Sequence, residues 1–202
     1  MDTIFFDWTG KVIDAESINE FDSYAKMYLD EERDFKFVEF IDNNEVSYIE
    51  YFLGVNETYK TVFENFPGYE LITFYTNRQR SGVYSKYDVL VISDDGTIKS
   101  KAIKVLGKNL LSIYYKAIDL DSGKTMSFSK HYYDLLHNVH YEFEYDENGD
   151  LAKTTVYDPE DFYDTSDYTV YPYQVGAGKN YFNFGWEGFE YYQRAEPILP
   201  DK

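Results

Sequence analysis

Three histidines, His131, His137 and His140, stand within ten residues of one another, with Asp134 among them. Imidazole is the commonest side-chain ligand for metal ions, so such a cluster is the first place to look for a metal centre. The spacing is not the helical HExxH arrangement, and the turn residue Asn138 parts the first two histidines from the third. Histidine is equally ordinary on a strand surface, so no metal is assigned. A second candidate is DENGD, residues 146–150. Asp146, Asn148 and Asp150 alternate as calcium ligands do, but an EF-hand loop counted from Asp146 needs glycine at its sixth position and glutamate at its twelfth. Those positions hold Leu151 and Tyr157, and the glycine falls at Gly149. Asn148-Gly149 between two alternating runs instead predicts a hairpin turn.

Other chemistry finds less support. The chain has no Gly-x-Ser-x-Gly elbow and no glycine loop that would cradle phosphate, and the absence of cysteine removes thiolate metal sites, disulfides and a cysteine nucleophile together. A carboxylate pair for glycoside hydrolysis always exists somewhere among 37 acidic residues, which is why their number points to no pair in particular. The reading is of a protein that is not an enzyme, with no catalytic residues and no cofactor.

What remains is binding. Asp158, Glu160, Asp161, Tyr163, Asp164, Asp167 and Tyr168, with Phe162 among them, make an acidic aromatic segment. Buried rings supply most of the affinity at protein interfaces, while charges supply steering and register. These seven residues are the candidate partner-binding site, suited to blocking a basic or metal-bearing cleft on another protein.

Composition agrees. The formal charge is −18 over 202 residues, and it is uneven: residues 1–75 hold 5 basic and 17 acidic side chains, residues 76–130 hold 10 and 5, and residues 131–202 hold 4 and 15. Such a surface repels nucleic acid and anionic membranes and attracts basic proteins in a salt-sensitive way. Lys99, Lys101, Lys104 and Lys108 form the one basic run, read as offsetting acids on neighbouring strands rather than as a nucleic-acid site. The 23 tyrosines and 16 phenylalanines favour strands and contact surfaces.

The elements that would hold these residues are mostly strands. Asp34 to Leu53 alternates about Asp42-Asn43-Asn44 as a hairpin. Further alternating runs follow, parted by turns at Asp94 to Thr97, Asp121 to Gly123 and Asn148-Gly149, while NRQRSG (77–82) reads as a polar loop. Ser17-x-x-Glu20 has capping-box spacing, and Ile18, Phe21, Ala25, Tyr28 and Leu29 then predict a helix from Ile18 to Glu31. A short second helix is expected between Glu57 and Phe66, stopped by Pro67-Gly68. The expected fold is α+β but mostly β, a single domain over 1–202. It is a curved antiparallel meander sheet of about eight to ten strands, with one or two helices packed on one face.

With FKFVEFIDNNEVSYIEYFLG, YEFEYDENGDLAKTTVYD, the closing KNYFNFGWEGFEYY and the missing cysteines, the chain resembles the immunity proteins of bacterial toxin systems. Within them it resembles the TipC-type partners of type VII secreted antibacterial toxins, which attack the cell-wall precursor lipid II in Gram-positive bacteria. The resemblance implies a protein that binds one cognate toxin and occludes its active cleft without doing chemistry. It also implies a place on the outer side of the cytoplasmic membrane, held there by an N-terminal segment removed from this chain. A cytoplasmic location is the alternative. Two other functions stay open: a secreted carbohydrate-binding or glycoside-hydrolase-like β domain using tyrosines and Trp186 as sugar platforms, and an acidic mimic of DNA.

Overall fold

The computed structural model describes residues 2–7, 11–30, 35–107, 110–134, 139–157, 169–174 and 186–200. Their thirteen strands are β1 (Asp2–Phe6), β2 (Val12–Ile13), β3 (Ser23–Leu29), β4 (Phe35–Asp42), β5 (Glu45–Phe52), β6 (Leu71–Ser81), β7 (Tyr84–Ser93), β8 (Ile98–Leu106), β9 (Ser112–Ile118), β10 (Thr125–Asp134), β11 (Val139–Tyr145), β12 (Leu151–Tyr157) and β13 (Thr169–Val170). They hydrogen-bond in the order β13-β12-β11-β10-β9-β8-β7-β6-β5-β4-β3-β1-β2. The protein is therefore mostly β and built on a large antiparallel sheet, with more strands than the eight to ten that turn counting predicts. The departures from a simple meander are β1, which lies between β2 and β3, and the parallel pair β5 and β6.

Part of the excess in strands comes from β3, which occupies half of the stretch whose spacing predicts a helix. Only Ala15–Glu20 is helical, as a 3-10 turn, and its cap is Asp14 rather than Ser17: the Asp14 carboxylate accepts from the amide of Glu16 at 3.1 Å. From Ser23 onward the period is two. Met27 and Leu29 are buried on one side, while Tyr28 turns to the other and stacks on Phe37 at 4.0 Å. Tyr28 and Leu29 are adjacent, so a helical stripe can include both. Pairing with β1 on one side and β4 on the other decides for the strand, because it satisfies both rows of backbone groups. The stretch 77–81 is likewise strand, not loop: β6 and β7 continue to a turn at Gly82, whose φ is +56°.

Residue contacts group the chain into two compact units, residues 1–78 with 87–101, and residues 79–86 with 102–202. In the first, β5 and β6 run parallel because the chain between them crosses over through the helix α1 (Tyr59–Phe63), capped by Thr58. A parallel connection needs such a crossover, and the helix covers the sheet where it passes. Val62 of α1, with Tyr59, Phe63 and the following Phe66, lies on a core of Ile49, Tyr51, Ile72, Phe74 and Ile92. Lys36 of β4 fixes the start of the crossover, its ammonium reaching both carboxylate oxygens of Glu57 at 2.6 Å. Glu57 in turn accepts from the amide of Gly54 at 2.9 Å.

In the second unit, strict alternation is found in β11. There Val139, Tyr141, Phe143 and Tyr145 are buried, and His140, Glu142 and Glu144 face the other way. The C-terminal stretch closes the buried side: Phe143 stacks on Tyr192 at 4.6 Å, and Tyr132 meets Phe189 edge-on at 4.9 Å. Inside this aromatic layer sits Lys130, fully buried, donating to the carbonyls of Tyr191 at 2.6 Å and Arg194 at 2.8 Å. A second small core, Val105, Ile113 and Tyr114, receives Ile198 and Leu199. The described part of KNYFNFGWEGFEYY, residues 186–192, is thus an irregular packed segment.

Candidate functional site

The face of β10, β11 and β12 turned away from Phe143 gathers the chemically versatile side chains of the second unit. Register places them in rows. Tyr133, His140 and Tyr157 lie opposite one another in the first row, His131, Glu142 and Thr155 in the second, and Ser129, Glu144 and Lys153 in or near the third. In the first row, the His140 ring lies between Tyr133, 4.5 Å away and within 6° of parallel, and Tyr157, 5.2 Å away and within 21°. The Tyr157 hydroxyl donates to Glu142 at 2.9 Å, and Lys153 pairs with Glu144 at 2.7 Å.

A chain of polar contacts crosses these rows. Ser129 Oγ is 2.9 Å from His131 Nε2, and His131 Nδ1 is 3.0 Å from His140 Nε2. Burial lowers the basicity of both imidazoles, which Glu142 partly restores, and it brings His140 down to about 4 with repulsion from His131 as a further cause. Burial and the bond to Glu142 push the Tyr157 hydroxyl up to about 12. Near neutral pH the two histidines are therefore uncharged.

Hydroxyl, imidazole and a second group orienting the imidazole is the order found in a nucleophile with its base. Two features set these contacts of Ser129, His131 and His140 apart from such a nucleophile. Ser129 is only 7 % exposed. It also lies within a strand paired on both sides, opposite Tyr115 and Glu144, where the backbone amides serve the sheet ladder rather than an oxyanion hole. Nor does the pair hold a metal as it stands. The 5.2 Å between ring centres is nearly the 3.0 Å contact plus the two centre-to-nitrogen distances, so the rings meet edge to edge and their nitrogens point at each other instead of converging on a third point. Among the described residues no group of three or more His, Asp or Glu could hold a metal ion. His137 lies outside the described residues.

The hairpin after β11 settles DENGD. Asp146 Oδ1 accepts from the amides of Asn148 at 2.9 Å and Asp150 at 3.0 Å, and Gly149 takes a φ of +81° with its own amide bonded to Asp146. The carboxylate is occupied in shaping the turn, as the Asn-Gly signal predicts.

The acidic aromatic candidates Asp158, Glu160, Asp161, Tyr163, Asp164, Asp167 and Tyr168 lie outside the described residues. Their anchors are described: Tyr157 ends β12, Thr169 begins β13, and the two strands pair through Thr155 and Thr169 and through Thr154 and Val170. In sequence the candidate segment therefore lies between two adjacent antiparallel strands, the first of which ends at Tyr157, a member of the row with Tyr133 and His140. Just past β13, Tyr171 and Tyr173 hold their rings parallel within 5° and 5.9 Å apart, 46 % and 78 % exposed.

Residue types alone did not reveal the Ser129, His131 and His140 chain. A signal was present, since 129 and 131 share a strand face by their spacing of two, but the register that brings His140 beside them needs the pairing of β10 with β11. The chain matches no protein-family model, no curated protein and no solved structure. No helix among the described residues is long and apolar enough to cross a membrane.

Proposed function

We propose that this protein is a binding protein that captures and neutralises a cognate secreted antibacterial toxin, as an immunity protein does. The observation that carries the reading is the setting of its most acidic aromatic segment: in sequence it links β12 to β13, which pair with each other, and Tyr157 at the end of β12 belongs to an ordered row with Tyr133 and His140 that has Glu142 and Glu144 on the same face. Ordered strands lower the entropy lost when rings and carboxylates meet a partner, and a formal charge of −18 speeds encounter with a basic surface. The partner is a protein with a basic or metal-bearing cleft, and the chain carries no catalytic role toward it. Its place is the outer side of the cytoplasmic membrane, with the cytoplasm as the alternative.

The test is capture of secreted and membrane proteins of the source organism on the immobilised chain at low and moderate salt. One toxin should be retained, more weakly at the higher salt. Reversal to lysine at Asp158, Glu160, Asp161, Asp164 and Asp167 together should abolish retention, and unchanged retention by that variant would remove the segment from the interface.

The parallel, exposed rings of Tyr171 and Tyr173 favour a second reading, a carbohydrate platform, since flat aromatic faces stack on sugar rings. A glycan array decides it: binding that disappears in Tyr173→Ala would replace the toxin-binding reading.

A further inference from the structure

The contact between His131 and His140 is a hydrogen bond that a defined number of protons can make or break. With both rings neutral, one nitrogen of the facing pair carries hydrogen and the other its lone pair, so a single N–H···N bond spans the 3.0 Å. A first added proton leaves that bond in place, now charge-assisted. A second puts hydrogen on both facing nitrogens, and two positive N–H groups cannot stay 3.0 Å apart. The pair is held from several sides: Ser129 bonds the far nitrogen of His131, and Tyr133 and Tyr157 enclose the ring of His140. The charged or titratable groups on this face among the described residues are Glu142, directly opposite His131, the two tyrosines that enclose His140, and Tyr115 of β9, opposite Ser129, while Glu144 and Lys153 pair with each other further along.

We propose that His131 and His140 form a proton-operated latch on this face of β10, β11 and β12, closed when the pair carries no proton or one, and opened by the second. Opening drives the rings apart and releases His140 from between Tyr133 and Tyr157. Burial keeps both imidazoles uncharged near neutral pH, so the latch opens only in acid. If this face meets the toxin, which rests on the function proposed above, capture weakens in acid.

The experiment is histidine side-chain ¹⁵N NMR of the full chain from pH 7.5 to 3.5, with no partner present. His131 and His140 should titrate below the ordinary histidine range in two steps that depend on each other, and the ring signals of Tyr133 and Tyr157 should move with the second step. His131→Gln, which leaves a neutral side chain, should raise the midpoint of His140 and turn its titration into a single step. Independent titration of the two histidines near pH 6.5 in the unaltered protein overturns the latch, and so does a midpoint of His140 unchanged by His131→Gln. A second arm measures affinity for the captured toxin: it should fall by up to about tenfold per pH unit below the lower step, less so in His131→Gln. Affinity equally acid-sensitive in both proteins, with the coupled two-step titration present in the unaltered protein, overturns the link to capture and leaves the latch standing.

Discussion

The ammonium of Lys130 lies 3.6 Å from the ring centre of Tyr191 and donates to the carbonyl of that same residue at 2.6 Å, so one charged group grips both the side chain and the backbone of the C-terminal segment. With the bond to Arg194, and with Tyr145 donating to the carbonyl of Tyr192 at 2.8 Å, it gives three carbonyls between 191 and 194 a donor inside an aromatic layer. Lys130→Met should leave two of those carbonyls unpaired and destabilise the protein by about 1–3 kcal/mol, measured by chemical denaturation.

Lys130 also predicts a pH dependence. Burial pushes its amine down to about 7, against attraction from Glu196, while the unfolded chain binds that proton up to about 10.5. Between those values the unfolded state holds more protons than the native state, so stability rises with pH, with a slope of at most about 1.4 kcal/mol per unit from this one group. Denaturation midpoints between pH 7.5 and 9.5 should show a rising component that Lys130→Met lacks.

Thr154 is fully buried beside Phe143, and its hydroxyl has no hydrogen-bond partner. Valine has nearly the same shape without the polar atom. Thr154→Val should stabilise the protein by about 1 kcal/mol, and a fall in the denaturation midpoint would show that the hydroxyl is satisfied in solution.

Phe143, with no exposed surface, fills the space among Tyr141, Trp186 and Tyr192. Phe143→Ala should cost about 3–5 kcal/mol, because the rings around it cannot all collapse into the space left. Loss of the C-terminal segment's protection from proteolysis should accompany it.

Glu57 joins β4 to the start of the crossover. Its burial raises the carboxyl's pKa, but the ammonium of Lys36 and the amide of Gly54 outweigh this and leave it lowered overall. A lowered value in the native state means that the stabilisation is present above the ordinary carboxylate range and disappears as pH falls through the native value. Glu57→Gln should therefore destabilise at pH 7 and differ little from the unaltered protein in strong acid, as thermal melts at pH 7 and pH 3 would show.

Strand periodicity was readable wherever alternation met a strong turn. Asn43 and Asn44, both with positive φ, and Gly149 mark two such turns, and the short helix before Pro67-Gly68 is found within its expected bounds. The stretch from Ile18 to Leu29 was misleading because adjacent apolar residues satisfy both periods, and only the partners β1 and β4 separate the two. The parallel step at β5 and β6 carries no local signal, since direction is set by the crossover. Lys130 is the clearest case of information absent from residue type: nothing in the lysine itself marks it as buried, and its burial follows from a segment 61 residues away in sequence. The acidic candidates of 158–168 came from composition, and their anchors from the pairing of β12 with β13.

As described, the sheet ends at both margins in strands of two residues, Val12–Ile13 and Thr169–Val170. A long margin of unpaired amides and carbonyls is a template onto which other chains add, and a sequence this rich in tyrosine and phenylalanine has the composition that such growth uses. A margin strand of two residues offers an incoming strand few rungs of its own. Brevity at a sheet margin is one of the devices by which strand-rich proteins avoid growing edge to edge.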